Sequence, residues 1–222
     1  MQKFAPLVHT RRTITGTRER VLDASARIFR SRGYAETTMN DIAEATGIKA
    51  ASIYYHFKSK DEIVEEVLNL GTLRVFDAVR HAVDNLPPET SFREKLALAL
   101  RTHLTLLHTQ GDYTAANVRL FPEAPAHVVE RHMSLRRSYG LYWQEMLREG
   151  QAEGLVAGSL DVKLAQMLLL GALNWSVQWY KPALYELETI AASGISLLLD
   201  GLLSADGVAA SDKPGDTESV DE

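Results

Sequence analysis

The chain has 222 residues, 45% hydrophobic and 24% charged, with a net charge of −5, a composition that suits a folded protein with a sizeable core. It contains no cysteine, which excludes a disulfide framework and any thiolate metal site. No apolar run reaches the roughly 18 residues of a membrane span, and the N-terminus lacks the apolar core of a signal peptide, so a cytoplasmic protein is expected.

The charge is unevenly spread. Residues 1–60 hold eleven Lys/Arg against five Asp/Glu, and the remainder holds thirteen against twenty-four. A basic module on an acidic body points to a polyanionic partner for the N-terminal part alone.

Residues 1–14 form an arm carrying Lys3, Arg11 and Arg12. It is either an unstructured terminus or an arm reaching phosphates or a minor groove. A first helix is expected over 17–31, with Val21, Ala24, Ser25, Ile28 and Phe29 on one face at three- and four-residue spacing, stopped at Arg32-Gly33. Thr38 is suited to cap a second helix, and Asp41 stands where a carboxylate favours the helix N-terminus. Gly47 ends that helix. A third is expected over 49–56, with Ile53 and Phe57 turned inward and Lys49, Ser52, Tyr54, Tyr55 and His56 turned outward. Two short helices joined by a glycine turn make a helix-turn-helix arrangement, in which the second helix enters the major groove.

Ser59 and Glu62 begin a longer helix running to about Val83, broken by Asn85-Leu86-Pro87-Pro88. Helices are then expected over 91–108 and 126–150, with an irregular segment between Gly111 and Phe121-Pro122. Residues 160–180 are almost uniformly apolar, which predicts a helix buried on more than one face, and a last helix is expected over 184–203. Alternating strand patterns are absent, so the fold class is all-α. Residues 205–222 hold six acids against Lys213, the composition of a solvated, disordered tail.

The pattern T-T-M-x-D-I-A-x-x-x-G-x-x-x-x-x-x-Y-x-H-F-x-S-K-x-E, from Thr37 to Glu62, resembles the TetR family of transcriptional regulators. Ala24, Phe29 and Arg32-Gly33-Tyr34 extend the resemblance, which covers roughly residues 15–75; beyond it the likeness is architectural. It implies an N-terminal three-helix helix-turn-helix domain over 15–75 and a helical effector-binding and dimerisation domain over 76–204. Its implied partners are a double-stranded DNA operator, a second copy of the chain and a hydrophobic small molecule, with no cofactor and no metal.

On a duplex, Lys49 can donate to guanine O6/N7 or to phosphate, and Ser52 can pair with either kind of group. Ala50 and Ala51 leave room for close approach and for a thymine methyl. Tyr54, Tyr55 and His56 are read as phosphate clamps, as in the resembled family, with simple packing as the plainer alternative. Thr38 is expected to meet a phosphate through its hydroxyl, and the resemblance places another phosphate contact at Lys60. One such helix reads only a few base pairs, so a dimer on a palindrome is expected. The expected seam is Leu164, Met167, Leu168, Gly171 and Trp175 on one helix with Ala191, Ile195, Leu198 and Leu199 on the next; intramolecular core is the alternative.

Two tryptophans and an asparagine in an apolar helix are unusual, because indole N–H and amide groups need partners. Asn174, Gln178 and Trp179 are therefore candidate pocket residues, with His103, Leu107, Tyr139 and Trp143 facing them, against the alternative of a satisfied core. The sequence Trp179-Tyr180-Lys181-Pro182 resembles a TetR subset that governs fatty-acid or sterol degradation and senses acyl-CoA thioesters, although Ala183 stands where that subset often has glycine. The expected function is a ligand-released repressor. The alternatives are a regulator of an efflux pump or stress gene sensing an aromatic or lipophilic compound and, more distantly, an effector-free architectural protein. Enzyme motifs are absent: there is no G-x-S-x-G, H-E-x-x-H, Walker loop or G-x-G-x-x-G. His103/His108 and His127/His132 have a spacing that does not align two metal ligands on one helix face.

Overall fold

The computed structural model describes residues 16–109 and 111–200, with side chains through Leu197. The arm, the acidic tail and the side chains of Leu198 and Leu199 lie outside the described residues. Among those described there are nine helices and no strand: α1 Thr17–Arg32, α2 Met39–Thr46, α3 Ala50–His56, α4 Lys60–Asp84, α5 Phe92–Thr109, α6 Asp112–Leu120, α7 Ala126–Ala152, α8 Val162–Trp179 and α9 Leu187–Asp200. The all-α expectation holds.

Two compact units divide the chain. Among the described residues, one gathers 16–77 with 106–143, and the second gathers 78–105 with 144–200. The first has one apolar core. Leu22 and Phe29 of α1, Ile42 of α2, Ile53 of α3, Val64 and Leu68 of α4, and Leu120 of α6 are all buried in it. Burying each such side chain contributes ~1.5–3 kcal/mol, and Phe57, fully buried just after α3, pins the end of that helix to the same core.

One expectation is corrected here. The segment from Gly111 to Phe121 is not irregular: Asp112–Leu120 is a helix that packs along α1. Tyr113, Thr114, Ala115, Ala116 and Asn117 are consecutive and all buried, so no polar face marks the helix in the sequence. Gly111, at φ 71°, supplies the turn into it.

A buried polar chain runs through the first unit. Asn117 Nδ2 donates to Leu68 O at 2.7 Å and to Thr72 Oγ1 at 3.0 Å. Thr72 Oγ1 lies 3.3 Å from His132 Nε2, and His132 Nδ1 lies 2.7 Å from Asn69 Oδ1. These partners suit a neutral imidazole that accepts from Thr72 and donates to Asn69. Burial, and then the charge of Arg136, push His132 down to about 4, in keeping with that state.

The second unit contains α8 and α9. Asp161 caps α8 by accepting from Lys163 N at 2.8 Å and Leu164 N at 3.1 Å. The expectation that this helix is buried on more than one face does not hold for the single chain. Ala165, Leu169 and Leu173 are buried, but Leu164, Met167, Leu168, Trp175 and Trp179 are exposed.

Candidate nucleic-acid interface and effector cavity

The helix-turn-helix is built by its caps and its core. Asp41 N donates to Thr38 Oγ1 at 3.2 Å, while Asp41 Oδ2 accepts from Thr38 N at 2.7 Å. This reciprocal pair closes a capping box. The Thr38 hydroxyl, then its main-chain N–H, hold the Asp41 carboxyl below its ordinary range. That hydroxyl also donates to Asp41 Oδ2 at 2.6 Å. Thr38 is thus engaged as a cap, and a capping carboxylate already occupies the α2 N-terminus where a phosphate was expected. Gly47 takes the left-handed conformation at φ 64° and turns the chain into α3.

Lys49 is the cap residue of α3, extended at φ −61°, ψ 137°. With Ile53 buried, the helix turns Ala51, Ser52, Tyr54 and Tyr55 to solvent, with Ala50 and His56 partly covered. Tyr55 is 87% exposed and Tyr54 53%, so the first unit's core does not account for either ring. Tyr55 and His56 meet edge to face at 5.2 Å between centroids. Lys49, Ser52, Tyr54 and Tyr55 are all exposed to solvent.

Lys60 is placed differently. Its ammonium donates to Tyr34 O and Thr37 O, both at 2.8 Å, and sits 3.8 Å from the centre of the Tyr34 ring. Burial lowers its pKa from the ordinary lysine value. At least two of its three N–H donors are therefore spent on the α1–α2 turn, a role that the sequence pattern did not disclose.

In the second unit, a cavity of about 400 Å³ opens among α5, α8 and α9. Leu104, Leu173 and Ile190 give it apolar walls, Trp179 and Tyr185 add rings, and Ser176, Thr189 and Ser193 add hydroxyls. No charged residue lines it among those whose side chains are described. Of the residues expected in a pocket, Trp179 lines this cavity. His103 and Asn174 belong to the same unit and pair with each other, Nε2 to Oδ1 at 3.2 Å, while Gln178 is exposed. Leu107, Tyr139 and Trp143 belong to the first unit and are buried there. The α9 lining residues, Thr189, Ile190, Ser193, Gly194 and Leu197, recur at helical spacing; that face was the available signal.

The seam residues divide as well. Leu164, Leu168, Gly171 and Trp175 form one exposed stripe along α8, with Met167 beside it. Ala191 and Ile195, expected on the same seam, are 1% and 9% exposed. They are already buried within one protomer and cannot face a partner. The exposed side of α9 is one residue out of phase, at Ala192 and Ser196.

Comparison with known proteins decides the family. Residues 21–67 match the profile of bacterial regulatory proteins of the tetR family, and residues 89–202 match the tetracyclin repressor-like C-terminal domain. The chain belongs to the TetR family. It is 31% identical to the HTH-type transcriptional repressor KstR2 of Rhodococcus jostii, over 86% of this chain and 93% of that one. The crystal structure of the TetR family regulator PfmR from Thermus thermophilus superposes with a TM-score of 0.74 at 27% identity, covering 86% of this chain and all of that one. FadR of Bacillus subtilis, solved with stearoyl-CoA, shares the fold at a TM-score of 0.72 and 21% identity, over 83% and 98% of the two chains. This TetR protein is a DNA-binding transcriptional regulator and not an enzyme. No helix among its described residues is long and apolar enough to cross a membrane.

Proposed function

We propose that the protein is a cytoplasmic, homodimeric repressor released from a palindromic operator by an acyl thioester. The observation that carries this reading is the largely apolar cavity of about 400 Å³ among α5, α8 and α9. A cavity with such walls suits a hydrocarbon chain. The resemblance of Trp179-Tyr180-Lys181-Pro182 to the acyl-CoA-sensing subset supports it, and FadR of this fold is solved with stearoyl-CoA. Kinship with the repressor KstR2 supports the sign of regulation.

In this reading Lys49 and Ser52 read base edges, Ala50 and Ala51 permit close approach, and Tyr54, Tyr55 and His56 clamp phosphates. Thr38 and Lys60 add phosphate contacts in this reading. The exposed α8 stripe of Leu164, Leu168, Gly171 and Trp175 joins two protomers, setting the reading helices roughly 34–36 Å apart on successive turns of the duplex. Ligand releases DNA by binding more tightly to a conformation in which that spacing is lost; a roughly 10⁴-fold preference moves the balance from 1:99 to 99:1.

A second reading is favoured by the same lining. With no charged residue among the described residues of its wall, the cavity also suits a neutral aromatic or lipophilic compound, as a regulator of efflux or stress genes would sense. Fluorescence anisotropy on DNA from upstream of the protein's own gene separates the two, titrated with acyl-CoAs, free fatty acids and neutral aromatics. Release by acyl-CoAs alone supports the first reading. Release by neutral compounds, with indifference to thioesters, overturns it in favour of the second.

A further inference from the structure

The turn between α1 and α2 is gripped by side chains remote from it in sequence. Glu123, in the corner between α6 and α7, accepts the Tyr34 N–H through Oε2 at 2.8 Å. Its carboxylate also lies against the Cα of Gly33, where a side chain would overlap it and where φ is +80°. Arg119, at the end of α6, donates to Ser31 O at 2.8 Å and Arg30 O at 3.3 Å, covering the last carbonyls of α1. From α4, Lys60 takes the carbonyls of Tyr34 and Thr37. Asp61 accepts the Tyr34 hydroxyl at 2.7 Å and meets His127 Nε2 of α7 at 2.9 Å. Tyr34 is thereby fixed at its N–H, its C=O and its ring hydroxyl at once.

We propose that Glu123 is a positioning residue for operator recognition: by holding the Tyr34 N–H it fixes the α1–α2 turn, and with it the angle at which α3 is presented to DNA. The inference rests on the reading that α3 enters the major groove. The physical argument is one of leverage. Thr38 starts α2 one residue after the clamped turn, and Gly47 alone separates the end of α2 from Ile48 and the cap of α3. A tilt allowed at Tyr34 is carried through α2 to the outward side chains of α3. Glu123 is exposed and makes one main-chain bond beside an exposed ion pair with Arg119 at 3.8 Å, so its loss disturbs orientation more than folding. Phosphate attraction, which depends on charge near the duplex and not on register, is left nearly intact.

The test begins by selecting a palindromic duplex from a random pool with the unaltered protein. Failure to select one would remove the α3 reading itself, and this inference with it. With the duplex in hand, Glu123→Ala and Glu123→Gln are compared with the unaltered protein on it and on a scrambled duplex, with urea melts alongside. A bond to a charged acceptor corresponds to about tenfold in affinity, so Glu123→Ala should bind the selected duplex about tenfold more weakly and the scrambled one unchanged. Glu123→Gln, which keeps an acceptor oxygen for the Tyr34 N–H, should recover most of the loss. Equal weakening on both duplexes, or unchanged affinity on the selected one, would overturn the assignment and leave Glu123 a stabilising contact only.

Discussion

Gly71 of α4 lies directly on the main chain of α6: a Cβ at position 71 would stand 2.6 Å from the carbonyl oxygen of Tyr113. The two helices therefore touch backbone to backbone, beside the Asn117 bonds to Leu68 and Thr72. α6 in turn packs on α1, where the Tyr113 hydroxyl donates to Asp23 at 2.8 Å. That contact makes Gly71 a fixed point of the DNA-binding unit.

Gly71→Ala is expected to destabilise the protein, because the opposing atoms are backbone and cannot rotate away. Overpacking of this kind costs ~1–3 kcal/mol, read as a lower urea midpoint at unchanged slope. A neutral result would mean that α6 can shift away from α4 at little cost.

His132 predicts an acid sensitivity. Its imidazole is pushed down to about 4 in the fold, whereas an unfolded chain titrates it near 6.5. As pH falls through that window the unfolded state takes up the proton first, so stability declines from about pH 6.5 and the decline is complete near pH 4. The limit is about 3 kcal/mol. Urea melts at pH 7, 6 and 5 should show the decline, and His132→Gln should flatten it. Parallel slopes for both proteins would contradict the buried neutral imidazole.

Leu168 is 74% exposed in the single chain, at the centre of the α8 stripe. Leu168→Glu should convert a dimer into a monomer in sedimentation experiments. Losing the second reading helix should weaken operator binding by roughly 10²-fold or more, with the helical content of the monomer unchanged. A variant that still sediments as a dimer would place the seam elsewhere.

Lys60→Ala separates two roles. Leaving the Tyr34 and Thr37 carbonyls without their donor should cost ~1–3 kcal/mol of stability. If the ammonium also meets a phosphate, the salt dependence of DNA binding should fall by roughly one unit of slope. Loss of stability with an unchanged slope would assign Lys60 to the turn alone.

Much of the DNA-binding module was legible in the sequence, because its determinants are local. Thr38 with Asp41 makes a cap across three residues, Gly47 supplies a left-handed stop, and the spacing of Ile53 and Phe57 turns Lys49, Ser52, Tyr54 and Tyr55 outward. Tertiary packing decided the rest. Five consecutive residues of α6, Tyr113 to Asn117, are covered by its neighbours, so no period announces it. The phase of α9, with Ala191 and Ile195 inward and Ala192 and Ser196 outward, depends on which side meets α5 and α8, and the small residues on both faces do not encode that choice. The commitment of Lys60 to two carbonyls, and the grip of Glu123 on Tyr34 from 89 residues away, arise only when distant segments meet. Local chemistry sets where helices begin and end; which face each one buries is settled by the partner it finds.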